Sequence, residues 1–399
     1  MYKIILGYAS IFHKMNTFVR GETKKKTLKV VYSKKIIVIL QYRKSRMTSK
    51  MKKLSSIMAF LCSLLGCTAQ SAGYPSLSIN EFEKALNNAD VLRLDVRTAD
   101  EYAEGHIADA INIDVQKSDF ESKATVTLPK SKTIAVYCRS GRRSKTAADI
   151  LTRNGYKVIE LSNGYNGWTK EGKNVTKETV DYFCTANGTD IFMYCIKHGS
   201  IKMRIAGKWL YVDPVTKAAK PLTDYSTMPK ADIILITHEH GDHLDNEAIK
   251  QLQKDGTMLI LNKNSNNALG GIGTAMANGE SMSLAPSWTI TAVPAYNTSA
   301  DKQQFHPKGR DNGYLLNIDG FNIYIAGDTE DIAEMSQLNN INVAFLPCNL
   351  PFTMSVEQLC NAAKTVKPAV LFPYHFGNTD VTTIPSQLNG IDVRLRQYQ

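Results

Sequence analysis

Two regimes of hydrophobic patterning divide the chain. Between residues 74 and about 173, short apolar runs alternate with amphipathic stretches. Residues 91–96, 133–137 and 158–161 read as strands, the second apolar enough to lie centrally in a parallel sheet. Ser78 or Asn80 caps a helix start, and a helix from Lys145 to about Arg153 is ended by Asn154-Gly155. Gly164 to Trp168 reads as a turn leading to a last short element. Residues 174–187 are polar and punctuated by Gly and Asn, which fits a linker. Beyond them strands dominate: 191–194, 200–205 and 209–212, with Ala206-Gly207-Lys208 as a hairpin turn, then 233–236 and 258–261. The pattern continues with strands at 281–284, 289–293, 314–318, 321–326, 343–346 and 370–372. Helices are expected at 246–254, 332–338 and 355–365. An α/β unit followed by an αββα sandwich is the predicted architecture.

Charge alters this picture only at the N-terminus. The formal net charge is +11, yet residues 1–53 hold 15 Lys and Arg against one acid, Glu22. The remaining 33 basic and 36 acidic residues leave a body at −3, so no nucleic-acid-binding face is implied. Met51-Lys52-Lys53, a short apolar run over 54–65 and small residues after it describe a secretory signal, too short to span a bilayer. Leu64-Leu65-Gly66-Cys67 resembles the lipobox of bacterial lipoproteins. That resemblance implies cleavage before Cys67, lipid attachment to its sulfur and a cell-envelope location with membrane contact through the anchor alone. An ordinary signal cut near Ala72 is the alternative. On this reading 1–50 is an upstream extension, 51–66 the signal and 67–73 a tether. The five cysteines past the anchor form no Cys-x-x-Cys pair, and export permits a Cys184–Cys195 disulfide.

The strand at 133–137 runs into Cys138-Arg139-Ser140-Gly141-Arg142-Arg143-Ser144 and then a helix. A thiol under a helix N-terminus, with loop N–H groups and three arginines around it, is placed to act as a thiolate and to hold an anionic sulfur adduct. These residues, with Leu94-Asp95-Val96-Arg97, Gly105-His106-Ile107 and the Gly164–Trp168 turn, resemble a single-domain rhodanese over 74–173, although Tyr165 replaces the family's second glycine. The resemblance implies a Cys138 persulfide passing sulfur between a donor and an acceptor, held in a cradle of Arg139 to Ser144. The loop has the short length associated with sulfur transfer rather than phosphatase activity. Asp95 and Arg97 read as organising residues, His106 as a satisfied turn or core histidine.

The second unit, 188–399, centres on Thr237-His238-Glu239-His240-Gly241-Asp242-His243 after an apolar strand. Imidazoles two apart suit an extended segment whose alternate side chains share a face, and with Asp they form a metal-ligand set. Asp328 and His375 also follow apolar strands. Together they resemble the metallo-β-lactamase superfamily, and Pro294 to Asn297, His306 to Gly309 and Ala326 to Thr329 resemble its lactonase-like hydrolases. The resemblance implies two divalent metal ions, Zn, Mn or Fe: His238 and His240 on one, Asp242, His243 and His375 on the other, Asp328 between. Where a third histidine is usual on the first metal, Asn297 stands, leaving His306 or Asn297 for that place. His198 is expected at the pocket and Asp213 behind the ligands. The expected chemistry is attack of metal-activated water on a small-molecule lactone, ester, amide or phosphate ester. A mononuclear-iron persulfide dioxygenase and a non-catalytic, lipid-anchored sulfur carrier are the alternatives.

Overall fold

The computed structural model describes residues 73–218 and 222–396. The signal, Cys67 and the upstream extension lie outside the described residues. No helix among the described residues is long and apolar enough to cross a membrane.

The first unit is a five-stranded, all-parallel sheet in the order β1-β5-β4-β2-β3. The strands are β1 (Ser76–Leu77), β2 (Val91–Asp95), β3 (Ile111–Asn112), β4 (Thr133–Tyr137) and β5 (Lys157–Leu161). Helices α1 (Ile79–Leu86), α2 (Ala99–Glu104), α3 (Phe120–Thr127), α4 (Arg142–Arg153) and α5 (Gly164–Lys170) cover it. Ser78 is the cap of α1, in a reciprocal box with Glu81. Two expectations shift. α4 starts at Arg142 rather than Lys145, because Gly141 takes the left-handed conformation (φ 89°) and turns the loop directly into the helix. Gly164 to Trp168 is itself helical, as the first turns of α5.

The second unit pairs two seven-stranded sheets. One runs β6 (Asp181–Cys184), β7 (Asp190–Lys197), β8 (Ser200–Ile205), β9 (Lys208–Val212), β10 (Ile233–Ile236), β11 (Met258–Leu261) and β12 (Thr274–Ala275). The other runs β13 (Ser281–Ala285), β14 (Trp288–Ala295), β15 (Asp311–Ile318), β16 (Phe321–Ile325), β17 (Ile341–Pro347), β18 (Val370–Tyr374) and β19 (Asp392–Val393). In each, the first four strands are antiparallel and the rest parallel. Their inner faces share a core that includes Met203, Leu235, Leu316, Phe345 and Phe372. Helix α6 (Asn246–Leu252) packs outside the first sheet through Ile249 and Leu252, and α8 (Val356–Val366) outside the second through Leu359 and Val366. A short α7 (Lys263–Ala268) and α9 (Ile384–Gln387) complete the outer layers. The helix expected at 332–338 is a 3-10 turn, Ala333–Gln337.

The expected linker, 174–187, is structured. β6 lies within it, and Thr176 pairs with the backbone of His106. Val180 and Tyr182 join Leu92, Val136 and Leu151 in one core, together with Phe192 and Tyr194 of β7. Asp109 accepts from Tyr194 Oη at 2.7 Å and Arg204 Nη2 at 3.0 Å across the same seam. Cys184 and Cys195 are not joined in a disulfide: Cys184 pairs with Asp190 in the β6–β7 register, while Cys195 lies further along β7 opposite Ile201.

Candidate metal centre

The parallel arrangement of β9 and β10 brings their C-terminal ends to one level, with Val212 beside Leu235. Asp213 follows the first and Thr237-His238 the second. Asp213, fully buried, accepts from Thr237 N at 2.8 Å, Thr237 Oγ1 at 2.7 Å and His243 Nδ1 at 2.8 Å. A tight turn returns His243 to this level, its N–H donating to His240 O at 2.9 Å. Asp245 then caps α6 by accepting from Glu247 N at 2.8 Å, so strand, cluster and helix form one continuous unit. From the other sheet, Asp328 follows β16 and His375 follows β18. His375 N–H donates to His198 O at 3.1 Å and so ties β18 to the end of β7.

Three groups of ligand-type atoms converge, each within 4.8 Å: His238, His240 and His306; His198, Asp242, His243 and His375; and His238, His243 and Asp328. His238 Nε2 and His240 Nδ1 are 3.1 Å apart. Asp328 stands between the first two groups, 3.4 Å from His306 Nε2, 3.5 Å from His243 Nε2 and 3.4 Å from His375 Nε2. Rings are held from behind: His306 Nδ1 faces Asp311 Oδ2 at 3.1 Å, His243 Nδ1 faces Asp213, and each directs Nε2 inward. His243 Nε2, His375 Nε2 and Asp328 Oδ1 are buried without a hydrogen-bond partner. Buried polar atoms are rarely left so, and several aimed at one space, all N or O donors, fit divalent cations.

The electrostatics agree with that fit. Burial, then repulsion from His243, His306 and His240, holds His238 well below the usual imidazole range, so it is a neutral donor. Burial opposes ionisation of Asp328, but His375, His243 and His306 outweigh it and keep the carboxylate charged. Burial likewise opposes charge on His243, yet Asp328 and Asp213 push it up to about 10. A ring that must carry a proton to balance two carboxylates marks a place that a cation would fill instead.

Of the two candidates for the remaining place beside His238 and His240, the structure brings His306. Asn297 is held through its nitrogens, Nδ2 donating to Lys302 O at 3.1 Å and Phe352 O at 2.8 Å and its N–H to His306 O at 2.8 Å, while its Oδ1 is buried without a partner. It fastens the strap that carries His306. His198 lies within the second group rather than merely at a pocket wall. The parts played by Thr237, Asp311 and Gly199 escaped sequence reasoning. Asp311 follows His306 by five residues with no motif to mark it, and Gly199 matters only through its lack of a side chain.

Cys138 lies buried at the end of β4, with Sγ 3.4 Å from Ser144 Oγ. Arg139, Ser140 and Arg142 are exposed around it. Two members of the expected cradle have other partners. Arg143 makes a bidentate pair with Glu101 at 2.6 and 2.7 Å. Ser144 turns inward and donates to Glu160 Oε1 at 2.6 Å. Gly164 backs the loop, where an added Cβ would fall 2.5 Å from Cys138 O. Arg97 pairs with Asp95 at 2.6 Å, and the buried His106 ring lies between Tyr102 O at 2.8 Å and Glu178 O at 3.1 Å, donating its one N–H there.

Comparison with known proteins agrees with both halves. Residues 78–171 match the Rhodanese-like domain and residues 193–375 the Beta-lactamase superfamily domain. A UPF0173 metal-dependent hydrolase of Thermococcus onnurineus is 30% identical over 184 residues, 43% of this chain and 79% of the relative. A solved structure from Parabacteroides distasonis, provisionally named a metal-dependent hydrolase, is 46% identical with a TM-score of 0.54, covering 56% of this chain and 100% of that one. A rhodanese-related protein of Thermoplasma volcanium is 30% identical over 26% of this chain and 100% of its own, with a TM-score of 0.24.

Proposed function

The chain belongs to the UPF0173 metal-dependent hydrolases of the beta-lactamase superfamily and carries a rhodanese-like domain ahead of that fold; from this we propose that it hydrolyses a small lactone, ester, amide or phosphate ester at a centre for two divalent metal ions. The observation that carries the reading is the pair of ligand groups on either side of Asp328, with buried donor atoms left unpartnered between them. His238, His240 and His306 would hold one ion, Asp242, His243 and His375 the other, and Asp328 would bridge; zinc suits this donor set, as do manganese and iron. When bound, such ions polarise a carbonyl or phosphoryl oxygen and make water acidic enough to attack near neutral pH.

The chain's own residues do the rest. Asp213 and Asp311 lock the His243 and His306 rings so that no ordering remains to be done when substrate arrives. Asp242, with 41% of its side chain exposed against 3% for Asp328, is the carboxylate that meets incoming water and can take its proton. In ester cleavage the water oxygen bonds to the acyl carbon, the acyl–oxygen bond breaks, and the departing oxygen keeps the bonding pair and takes the proton that Asp242 accepted from the water. Asp242→Ala should lose metal and activity together, by elemental analysis and hydrolysis assays. Full metal content in that variant would remove Asp242 from the ligands.

The rhodanese-like half is proposed to carry sulfur on Cys138, because the thiol sits at the base of a loop that opens directly into α4. Sulfur then moves from a sulfane donor to an acceptor thiol or cyanide. Thiosulfate:cyanide turnover that survives Cys138→Ser would end this part of the reading. Joined to a metal centre, the same loop keeps a persulfide dioxygenase in view; one iron per chain, and oxygen uptake with glutathione persulfide, would favour it over two zincs and hydrolysis. Export and lipidation at Cys67 complete the proposal, and mass analysis of the membrane-bound protein tests them.

A further inference from the structure

We propose that the substrate of the metal centre carries an aliphatic acyl or alkyl group beside its reacting bond, seated on a wall made by Phe305, Leu350 and Phe352. The inference rests on the hydrolase reading and narrows it to substrates with an uncharged, apolar arm. Six large hydrophobic side chains are exposed among the described residues, and two of them, Leu350 at 52% and Phe352 at 42%, fall within three positions of one loop. Apolar side chains paired this closely on a surface need a reason that single ones do not.

The loop's position supplies it. The segment after β17 is anchored by Cys348 and Met354, both fully buried, and is closed on itself: Asn349 O accepts from Phe352 N and Thr353 N, both at 2.9 Å. Its exposure is therefore built in and does not come from a frayed chain. At one end the Phe352 carbonyl accepts from Asn297 Nδ2 at 2.8 Å, and its ring meets Phe305 edge-on with centroids 5.1 Å apart. Phe305 immediately precedes His306. At the other end Asn349 lies against Gly377, where an added Cβ would sit 3.2 Å from its Oδ1, and Gly377 is two residues past His375. One rigid loop thus spans the straps that deliver a ligand to each group of the centre. Residues 348–355 include no charged side chain, so the loop offers a substrate apolar contact and little to recognise an ionic group.

The test uses the full chain loaded with zinc and p-nitrophenyl esters from acetate to octanoate, with calorimetric binding of acetate, hexanoate and octanoate as a readout free of turnover. The expected result is kcat/KM rising about threefold per methylene until the wall is covered, with octanoate binding correspondingly tighter than acetate. Phe352→Ser should lower kcat/KM for the octanoate ester at least tenfold with metal content retained, and Leu350→Ser repeats the test should the first variant misfold. Rates and binding independent of chain length would overturn the inference while leaving hydrolysis intact. Length-dependent binding with no ester cleaved would uphold the wall and sink the hydrolase reading instead.

Discussion

His198 Nε2 lies 3.0 Å from Asp242 Oδ2, so a histidine at the end of β7 grips the most exposed carboxylate of the metal centre. Burial, ahead of every other influence, holds this ring below the usual imidazole range, which leaves it neutral with a single N–H to give. Its ring also rests on His375, centroids 3.7 Å apart. Loss of such an outer partner typically weakens a bound metal 10- to 100-fold. His198→Ala should do so at the second position and spare the first, as read by chelator competition. Equal affinity at both positions would show that the ring only packs.

Gly199 makes this approach possible. An added Cβ would lie 2.9 Å from His243 Cε1 and 3.6 Å from His375 Cδ2. Gly199→Ala should therefore displace His243 by a few tenths of an ångström and lower the metal content, with the melting temperature little changed. A variant that still binds metal with wild-type affinity would mean the His243 ring can yield.

A buried acid governs the strap that bears His306. Glu330 is wholly enclosed and accepts from Thr298 N at 2.8 Å, Ser299 N at 2.7 Å and Lys302 Nζ at 3.0 Å. Burial opposes its charge, but the bonds from Ser299, Lys302 and Thr298 prevail and bring it down to about 2. A lowered carboxyl contributes stability in full above its ordinary value of 4.5, and that contribution is lost as pH falls through about 2. Glu330→Gln should cost on the order of 3 kcal/mol near neutral pH, the usual scale for breaking a buried charged pair. In urea titrations the gap from wild type should close as pH is lowered from 4.5 to 2; a constant gap would point to packing instead.

On the sulfur side, Gly164 has φ 57° and no room for a side chain, with Ser140 N only 2.7 Å from an added Cβ. Gly164→Ala should destabilise the first unit by about 1 kcal/mol or more and slow thiosulfate:cyanide turnover at least tenfold by moving the Cys138 loop. Normal turnover in a folded variant would separate loop position from sulfur transfer.

Strands that end in chemistry were the legible part of this protein. Apolar β10 running into His238, β16 into Asp328 and β18 into His375 announce both sheet and site, since each ligand follows a run whose pattern is unmistakable. What sequence hides is contact at a distance. The choice between His306 and Asn297 depended on which side chain the strap turns inward, and that follows from Asp311 and from the Phe352 carbonyl 55 residues away. Arg143 looked like part of an anion cradle until Glu101, on another helix, claimed it. The stretch at 174–187 hid a strand because four residues of β6 amid polar neighbours are too few to register as a period.

That strand decides where the hydrolase fold truly begins. Asp181 on β6 receives Arg394 Nη1 at 2.7 Å and Arg396 Nη2 at 2.6 Å from the far end of the described chain. A protein expressed from residue 188 would contain every proposed metal ligand yet take Asp181 away from Arg394 and Arg396 and leave the long edge of β7 bare, a template for sheet-to-sheet aggregation. Poor solubility of such a fragment would say nothing against its chemistry. A dissection meant to assay the metal centre alone should start before Val180 and keep the chain through Arg396.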